Sequence, residues 1–354
     1  MSGNSPVTSR LSALTAQFNR LGIEALFVSD PVNIRYLTGY KPEDAWLLVS
    51  RKNVYYITDF RYVELVRRTL RGVEIVQYKD SLFQTVADLA PNGSLGFEEN
   101  HLIYQQFRRL VQCGRGRVHL RPVAGAVEAL RIIKDKDELA LVRKAVALNL
   151  QGFKDIRSFI KPGVTEGDIL VRLEAIARKR AAVFSFPPIV ASGPNSAFPH
   201  ARVTDRVLRP GEPLLLDFGL EQNGYKSDLT RMFFLGKMPH SFEKLLCIIK
   251  EAQQVAFRII RPGIPAKEVD AAARNYLAAQ GLGNNFGHSL GHGVGLNIHE
   301  MPSLSMKSGV VLAENMVITV EPGVYFPGRY GVRQEEMVLI TKTGCEVLSG
   351  NRDH

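Results

Sequence analysis

Asp217 and Asp228 are the first residues in this chain whose types and spacing could do chemistry. They lie in the stretch 214–234, LLLDFGLEQNGYKSDLTRMFF. Asn223-Gly224 is a strong hairpin signal, because a two-residue type I′ turn needs positive φ at both central positions. With that turn, Gln222 faces Tyr225, Gly219 faces Asp228 and Asp217 faces Thr230. Side chains alternate faces along a strand, so the two aspartates share a face and stand diagonally across the pair. Two close carboxylates repel unless one is protonated or a cation stands between them. From the hairpin alone, a pair of solvated aspartates on an exposed face is an equal reading.

Further ligands would decide the matter. Residues 286–302 read FGHSLGHGVGLNIHEMP, so His288, His292 and His299 fall in one glycine-rich stretch. One histidine is more often a core residue than a ligand, but three in such a stretch point to function. In VITVEPG an apolar strand ends in Glu321 at a Pro-Gly turn. In GVRQEEMVLI, Glu335 has the parity of Met337 and Leu339, which puts a carboxylate on the core side of its strand. That carboxylate needs a cation, either Arg333 at the same parity or a metal. Asp217, Asp228, His292, Glu321 and Glu335 together suit two divalent cations of mainly oxygen ligation. Two such metals can acidify a shared water and present hydroxide to a carbonyl.

The elements that must position these residues are legible in outline. Leu11, Leu14, Phe18 and Leu21 recur at helical spacing. Apolar strands are expected at 25–28, 46–49, 54–57, 73–78, 94–97 and 118–123, with helices at 61–70, 82–89 and 101–113. Ser29, Asp30 and Asn33 fit a turn, and His101 and His119 are read as structural. This alternation predicts an α/β domain over 1–125. Beyond a junction at 124–137, helices are expected at 138–160, 241–260 and 266–280. Thr165 and Asp168 form a capping-box pattern that opens another. Helices, hairpin, helices and strands in turn would suit a duplicated α+β layout.

Composition narrows the function classes. Of 354 residues, 45% are hydrophobic and 23% charged, ordinary values for a globular protein. The net charge of +10 is spread evenly: 16 Lys/Arg against 11 Asp/Glu precede Ala126, leaving 29 against 24 after it. Such a spread favours solubility over a nucleic-acid surface, and Arg108, Arg109, Arg115, Arg117 and Arg121 are read as a solvated helix side. Cys113, Cys247 and Cys345 are too far apart for a disulfide framework. No signal-peptide pattern and no run of 18 apolar residues is found, so a cytoplasmic, non-membrane protein is expected.

The spaced blocks DFGxxxxGYxSDxTR, GHGVGLxIHExP, VEPGVY and GVRxEE resemble those of the pita-bread metallopeptidases, the family of methionine aminopeptidase, aminopeptidase P and prolidase. The resemblance covers nearly the whole chain. It implies an α+β pita-bread (creatinase/aminopeptidase-like) catalytic domain at 126–354, preceded by the smaller α/β creatinase-like amino-terminal domain. It implies Asp217 as a terminal metal ligand, Asp228 and Glu335 as bridging ligands, and His292 and Glu321 on the other metal. Glu321 would also shuttle protons. His200 and His299 would hold the scissile carbonyl and the tetrahedral intermediate, and His288 would lie by the proline pocket. Arg333 and Tyr225 would support them, with Arg333 a candidate for substrate contact. The metals implied are manganese first, then cobalt or zinc.

The expected activity is therefore a metal-dependent Xaa-Pro aminopeptidase, releasing the first residue from peptides longer than two. Prolidase, the Xaa-Pro dipeptidase, is the alternative. The rival from another class is a non-catalytic peptide- or protein-binding member of the fold, against which the intact ligand set speaks. Small proline-containing peptides and a second copy of the chain are the expected partners.

Overall fold

The computed structural model describes residues 6–350, so the outermost residues of both expected domains lie outside the described residues. The chain divides into two compact units, Met1–Arg131 and Ile132–His354. The boundary expected at 125/126 falls short of this division. The helix Glu128–Arg131 belongs with the first unit, where Arg131 donates to Asn33 Oδ1 at 2.9 Å and Asn33 Nδ2 donates to Glu128 at 2.8 Å.

The first unit is built on a mixed six-stranded sheet. Its strands are β1 (Ala25–Val28), β2 (Ala45–Ser50), β3 (Val54–Thr58), β4 (Glu74–Gln77), β5 (Gly93–Glu98) and β6 (Val118–Val123), in the order β4-β3-β2-β1-β5-β6. The turn expected at Asp30 is instead the start of a helix, Pro31–Thr38. Asp30 caps it by accepting from Val32 N at 2.9 Å, and proline supplies the first helical residue. Asp-Pro reads equally as turn or as cap plus first turn, because proline lacks the N–H that a helix start leaves unused. The first expected helix also breaks at Gln17, into Pro6–Ala16 and Phe18–Leu21.

The second unit repeats one plan twice. Helices Lys136–Arg157 and Glu166–Lys179 precede one group of strands, and His240–Ile259 and Ala266–Ala279 precede another. Each first helix is followed by a Pro-Gly turn, with Gly163 at φ 94 and Gly263 at φ 89, where glycine avoids the Cβ penalty. Each turn leads to an isolated antiparallel bridge, Thr165 with Val207 and Pro265 with Val311. The predicted capping box is present: Asp168 N donates to Thr165 Oγ1 at 3.0 Å and Thr165 N returns to Asp168 at 2.8 Å.

Parity then separates core from site. Phe242, Leu245, Ile249, Ala252 and Ala256 make one buried helix face, joined by Val269, Ala273 and Leu277. Against them pack Ile318 and Val320 from Val317–Val320, and Val338 and Ile340 from Glu336–Ile340. Each such fully buried side chain contributes about 1.5–3 kcal/mol. The alternate residues, Thr319 and Met337, must therefore face away from the helices, and Glu321 and Glu335 continue their two rows. This is how a burial pattern directs two carboxylates to the far side of the sheet.

Candidate metal centre

The hairpin delivers the first two carboxylates as its turn dictates. Asn223 and Gly224 have φ of 49 and 88, and Gln222 pairs with Tyr225. Farther in, Thr230 pairs with Asp217 and Leu229 with Phe218. The register is the predicted one, and Asp217 and Asp228 face the same cavity. His292 comes from the short strand Gly291–Gly293, bound to Val317–Val320 through Gly293 and Ile318. A Cβ on Gly291 would stand 2.1 Å from Thr319 O, so only glycine lets His292 sit this close to the strand that ends at Glu321. Thr319 Oγ1 fixes both neighbours, accepting from His292 N at 3.0 Å and donating to Glu321 at 3.1 Å. Glu335 lies between Tyr330–Arg333 and Glu336–Ile340 and accepts from Thr230 Oγ1 at 2.7 Å.

All five residues line one cavity of about 1050 Å³, together with His200, His288, His299 and Arg333. His292 Nε2 stands 3.5 Å from Asp228 Oδ2 and 3.4 Å from Glu321 Oε1. Ligand atoms of Asp228, His292 and Glu335 lie within 4.8 Å of one another. Two ligands that share a cation at about 2.1–2.2 Å stand roughly 3.0–3.5 Å apart, so the His292 distances are those of a common ion. His292 Nδ1 is 3.0 Å from Gly293 O; a carbonyl only accepts, so Nδ1 carries the proton and Nε2 keeps its lone pair for a ligand.

Electrostatics agree with the donor set. Burial, then Glu335 and Asp217, push the Asp228 carboxyl well above its ordinary range. Burial, then Glu321 and Asp217, do the same to Glu335. Burial raises Asp217 against the pull of Arg333, and raises Glu321 against His288 and Arg333. His292, His288 and His299 are all lowered, first by burial, so the imidazoles are held neutral. Burial opposes the charge of Arg333, yet Tyr325 and Asp217 keep it protonated. One guanidinium thus faces four carboxylates, and Asp217 Oδ1 is buried with no hydrogen-bond partner. Buried charge of one sign demands a cation. The residues fit divalent metal.

Arg333 does not pair with Glu335, the alternative left open from sequence. Its Nη2 donates to Asp217 Oδ2 at 2.5 Å, Nε to Thr230 Oγ1 at 3.0 Å, and Nη1 to Tyr325 Oη at 2.8 Å and Pro199 O at 3.1 Å. Tyr225 is not brought to the site; its hydroxyl donates to Glu138 at 2.8 Å. Beyond Gly219, where a Cβ would meet Ser227 O at 1.7 Å, the hairpin leaves the sheet of Asp217 and pairs with Val183–Phe184 instead. The tyrosine the site does use is Tyr325, which sequence reasoning passed over although it stands in VEPGVY. It joins Arg333 to His288, whose Nε2 is 3.1 Å from its hydroxyl. The first unit holds another group of this type, Asp30, His101 and Glu128, but there Arg131 lies 4.0 Å from Asp30 and supplies a cation. Among the described residues no helix is long and apolar enough to cross a membrane.

Comparison with known proteins accords with this geometry. Residues 140–342 match the model of metallopeptidase family M24, and residues 10–133 match the creatinase/prolidase N-terminal domain. A solved Xaa-Pro dipeptidase from Bacillus anthracis superposes with a TM-score of 0.94 at 35% identity, covering 98% of this chain and 99% of that one. The X-Pro aminopeptidase from Thermotoga maritima gives 0.87 at 32%, covering 96% and 99%. The Xaa-Pro dipeptidase of Pyrococcus furiosus is 31% identical over 343 residues, 96% of this chain and 97% of that protein. Two domain matches in sequence order, over a fold that superposes nearly end to end, meet the resemblance read from the motifs: the chain belongs to metallopeptidase family M24.

Proposed function

We propose that this chain is a dinuclear-metal exopeptidase that hydrolyses the bond before proline, with the free Xaa-Pro dipeptide as its preferred substrate. The observation that carries the metal reading is the surplus of buried carboxylates around His292, with Asp217 Oδ1 unpartnered. Asp217, Asp228, His292, Glu321 and Glu335 would hold the ions, with Asp228 and Glu335 shared; manganese is our first choice, cobalt or zinc the alternatives. Such ions polarise a carbonyl and acidify a bound water. Glu321 would take a proton from the attacking water at its carboxylate and hand it to the proline nitrogen as the bond to proline breaks. His200 and His299 line the cavity without ligating and donate to the oxygen that becomes negative. His288 and Tyr325 bound the proline side. We further infer a cytoplasmic homodimer that acts on small proline peptides, without nucleic acid or membrane.

The preference for dipeptides departs from the aminopeptidase expected from sequence. It is supported by the Bacillus anthracis and Pyrococcus furiosus relatives, which are dipeptidases by name. A dipeptidase must recognise a carboxylate directly after proline, most naturally with an arginine. Arg333 already commits four of its five N–H groups, to Asp217, Thr230, Tyr325 and Pro199. Arg202 is exposed, lines the cavity and makes no ion pair among the described residues, so we assign the clamp to it. In a mixture of Xaa-Pro and Xaa-Pro-Yaa, the dipeptide should be consumed with at least a tenfold advantage in kcat/KM. Arg202→Ala should raise KM for the dipeptide roughly 10–100-fold, the worth of a charge-assisted hydrogen bond, and leave the tripeptide amide unchanged. Preference for the tripeptide would restore the aminopeptidase reading, which the Thermotoga maritima relative represents.

Metal binding should also be linked to pH through stability. In the metal-free fold Asp228 and Glu335 titrate above their ordinary 3.8 and 4.5. A carboxyl whose folded pKa is raised stabilises the fold while protonated, and that contribution is lost as pH rises through the folded value. Bound cations remove the repulsion. The difference in Tm between metal-loaded and chelated protein should therefore widen as pH rises from about 4. Exposed pairs such as Arg143 with Glu346 act alike in both forms and cancel. Calorimetry that shows a constant or shrinking difference would contradict the assignment.

A further inference from the structure

His299 makes no hydrogen bond of its own among the described residues. It is exposed, and its imidazole lies against the ring of His292, at 4.3 Å between centroids. Its position is therefore inherited from the backbone that carries it. That backbone is an arc, residues 295–300, closed by the side chain of Glu300. The Glu300 carboxylate crosses the arc so closely that a Cβ on Gly295 would meet Oε1 at 2.2 Å. It ends on Lys134 Nζ at 2.7 Å. The main chain of Glu300 meanwhile pairs with Gly293, next to His292.

Lys134 has no part in the chemistry described so far, yet its side chain is 1% exposed and that of Glu300 only 9%. Its Nζ also donates to Ile132 O at 3.3 Å, and its N–H to Asn315 O at 3.0 Å, so both ends of the lysine are held. Burying two charges is a poor way to gain stability, since apolar replacements of a buried pair are often neutral or better. What such a pair does supply is a single geometry, because two opposite charges are costly to separate in a low-dielectric interior.

We propose that Lys134 and Glu300 are positioning residues for the reaction. The buried pair fixes the arc of residues 295–300, so that the His299 imidazole meets the oxygen that becomes negative. This inference rests on the role given to His299 above. It predicts that the pair acts on turnover only while His299 is present.

A double-mutant cycle tests it. The variant Lys134→Met/Glu300→Gln removes both charges together and strands neither. Turnover, KM, Tm and metal content would be measured in the wild-type background and in His299→Ala. The expected result is full metal content, a KM changed less than about twofold, and kcat reduced about 10–100-fold, the loss that follows a misplacement near 1 Å. In the His299→Ala background the same change should cost less than about twofold, because residues that act through one group are not additive. Glu300→Asp, which keeps the charge but withdraws it by one methylene, should show the same pattern and serves if the double variant does not fold. Equal losses in both backgrounds, or unchanged kcat, would overturn the inference. Normal turnover by His299→Ala alone would instead overturn the reading of His299, and this inference with it, before the pair is altered.

Discussion

Replacing Glu335 or Asp228 by alanine should abolish turnover, with a loss beyond the roughly 10²–10³ that removal of one oxyanion donor costs. Both carboxylates are assigned to positions shared between two cations, so each removal damages both sites. Elemental analysis of the purified variant should show less metal than the wild type. Stability should move the other way when metal is absent. Glu335 is buried against Glu321 and Asp217, and its raised pKa records first that burial and then their repulsion. Deleting it relieves the strain, and the hydrogen bond lost with Thr230 offsets only about 1 kcal/mol. The chelated Glu335→Ala variant should therefore melt no lower than chelated wild type near neutral pH, although the wild type melts higher once metal is added. A variant with full metal content and normal turnover would sink the ligand assignment. An inactive, metal-replete variant would separate catalysis from binding and move Glu335 out of the shared position.

Much of this centre was legible because it depends on local rules. One Asn-Gly pair sets the register of the hairpin, and the register sets which face Asp217 and Asp228 share. Glu335 shares the side of Met337, as its parity implied, but that side faces the site and not the helix-packed core as expected, and Asp228 N donates to Met337 Sδ at 3.2 Å. What was not legible depends on the three-dimensional meeting of distant segments. Arg333 shares parity with Glu335, but its partner is Asp217, 116 residues away. Tyr225 follows the hairpin motif, but the crossing at Gly219 turns it toward Glu138. Lys134 and Glu300 lie 166 residues apart, and neither carries a sign in sequence of the other. The glycines of the stretch 286–302 let the backbone come close to neighbouring groups that the sequence does not name. The structure identifies those neighbours as Thr319 O at Gly291, Met301 O at Gly293 and Glu300 at Gly295. They are parts of the protein itself, so the motif describes the packing that holds the histidines.

His299→Ala should separate catalysis from metal binding. Four imidazoles line this site, and their environments assign them different work. His292 has Nδ1 committed to Gly293 O, leaving Nε2 at 3.4–3.5 Å from two carboxylates, the signature of a ligand. His299 stands beside it, ring against ring at 4.3 Å between centroids, but among the described residues its ring nitrogens make no ion pair with a carboxylate, and it remains exposed to the cavity. Partial desolvation against the cavity wall, then His292 and His200, lower its pKa and favour the neutral imidazole, which suits a donor to a developing oxyanion and would not repel a neighbouring cation. The alanine variant should thus retain metal near the wild-type level. Its kcat should fall on the order of 10²–10³, about 2.7–4 kcal/mol of transition-state stabilisation, while KM changes little. His292→Ala should lose metal and activity together. Measuring both variants side by side makes the distinction sharp: if His299→Ala is the one that sheds metal, the two roles have been exchanged and His292 is the donor to the oxyanion.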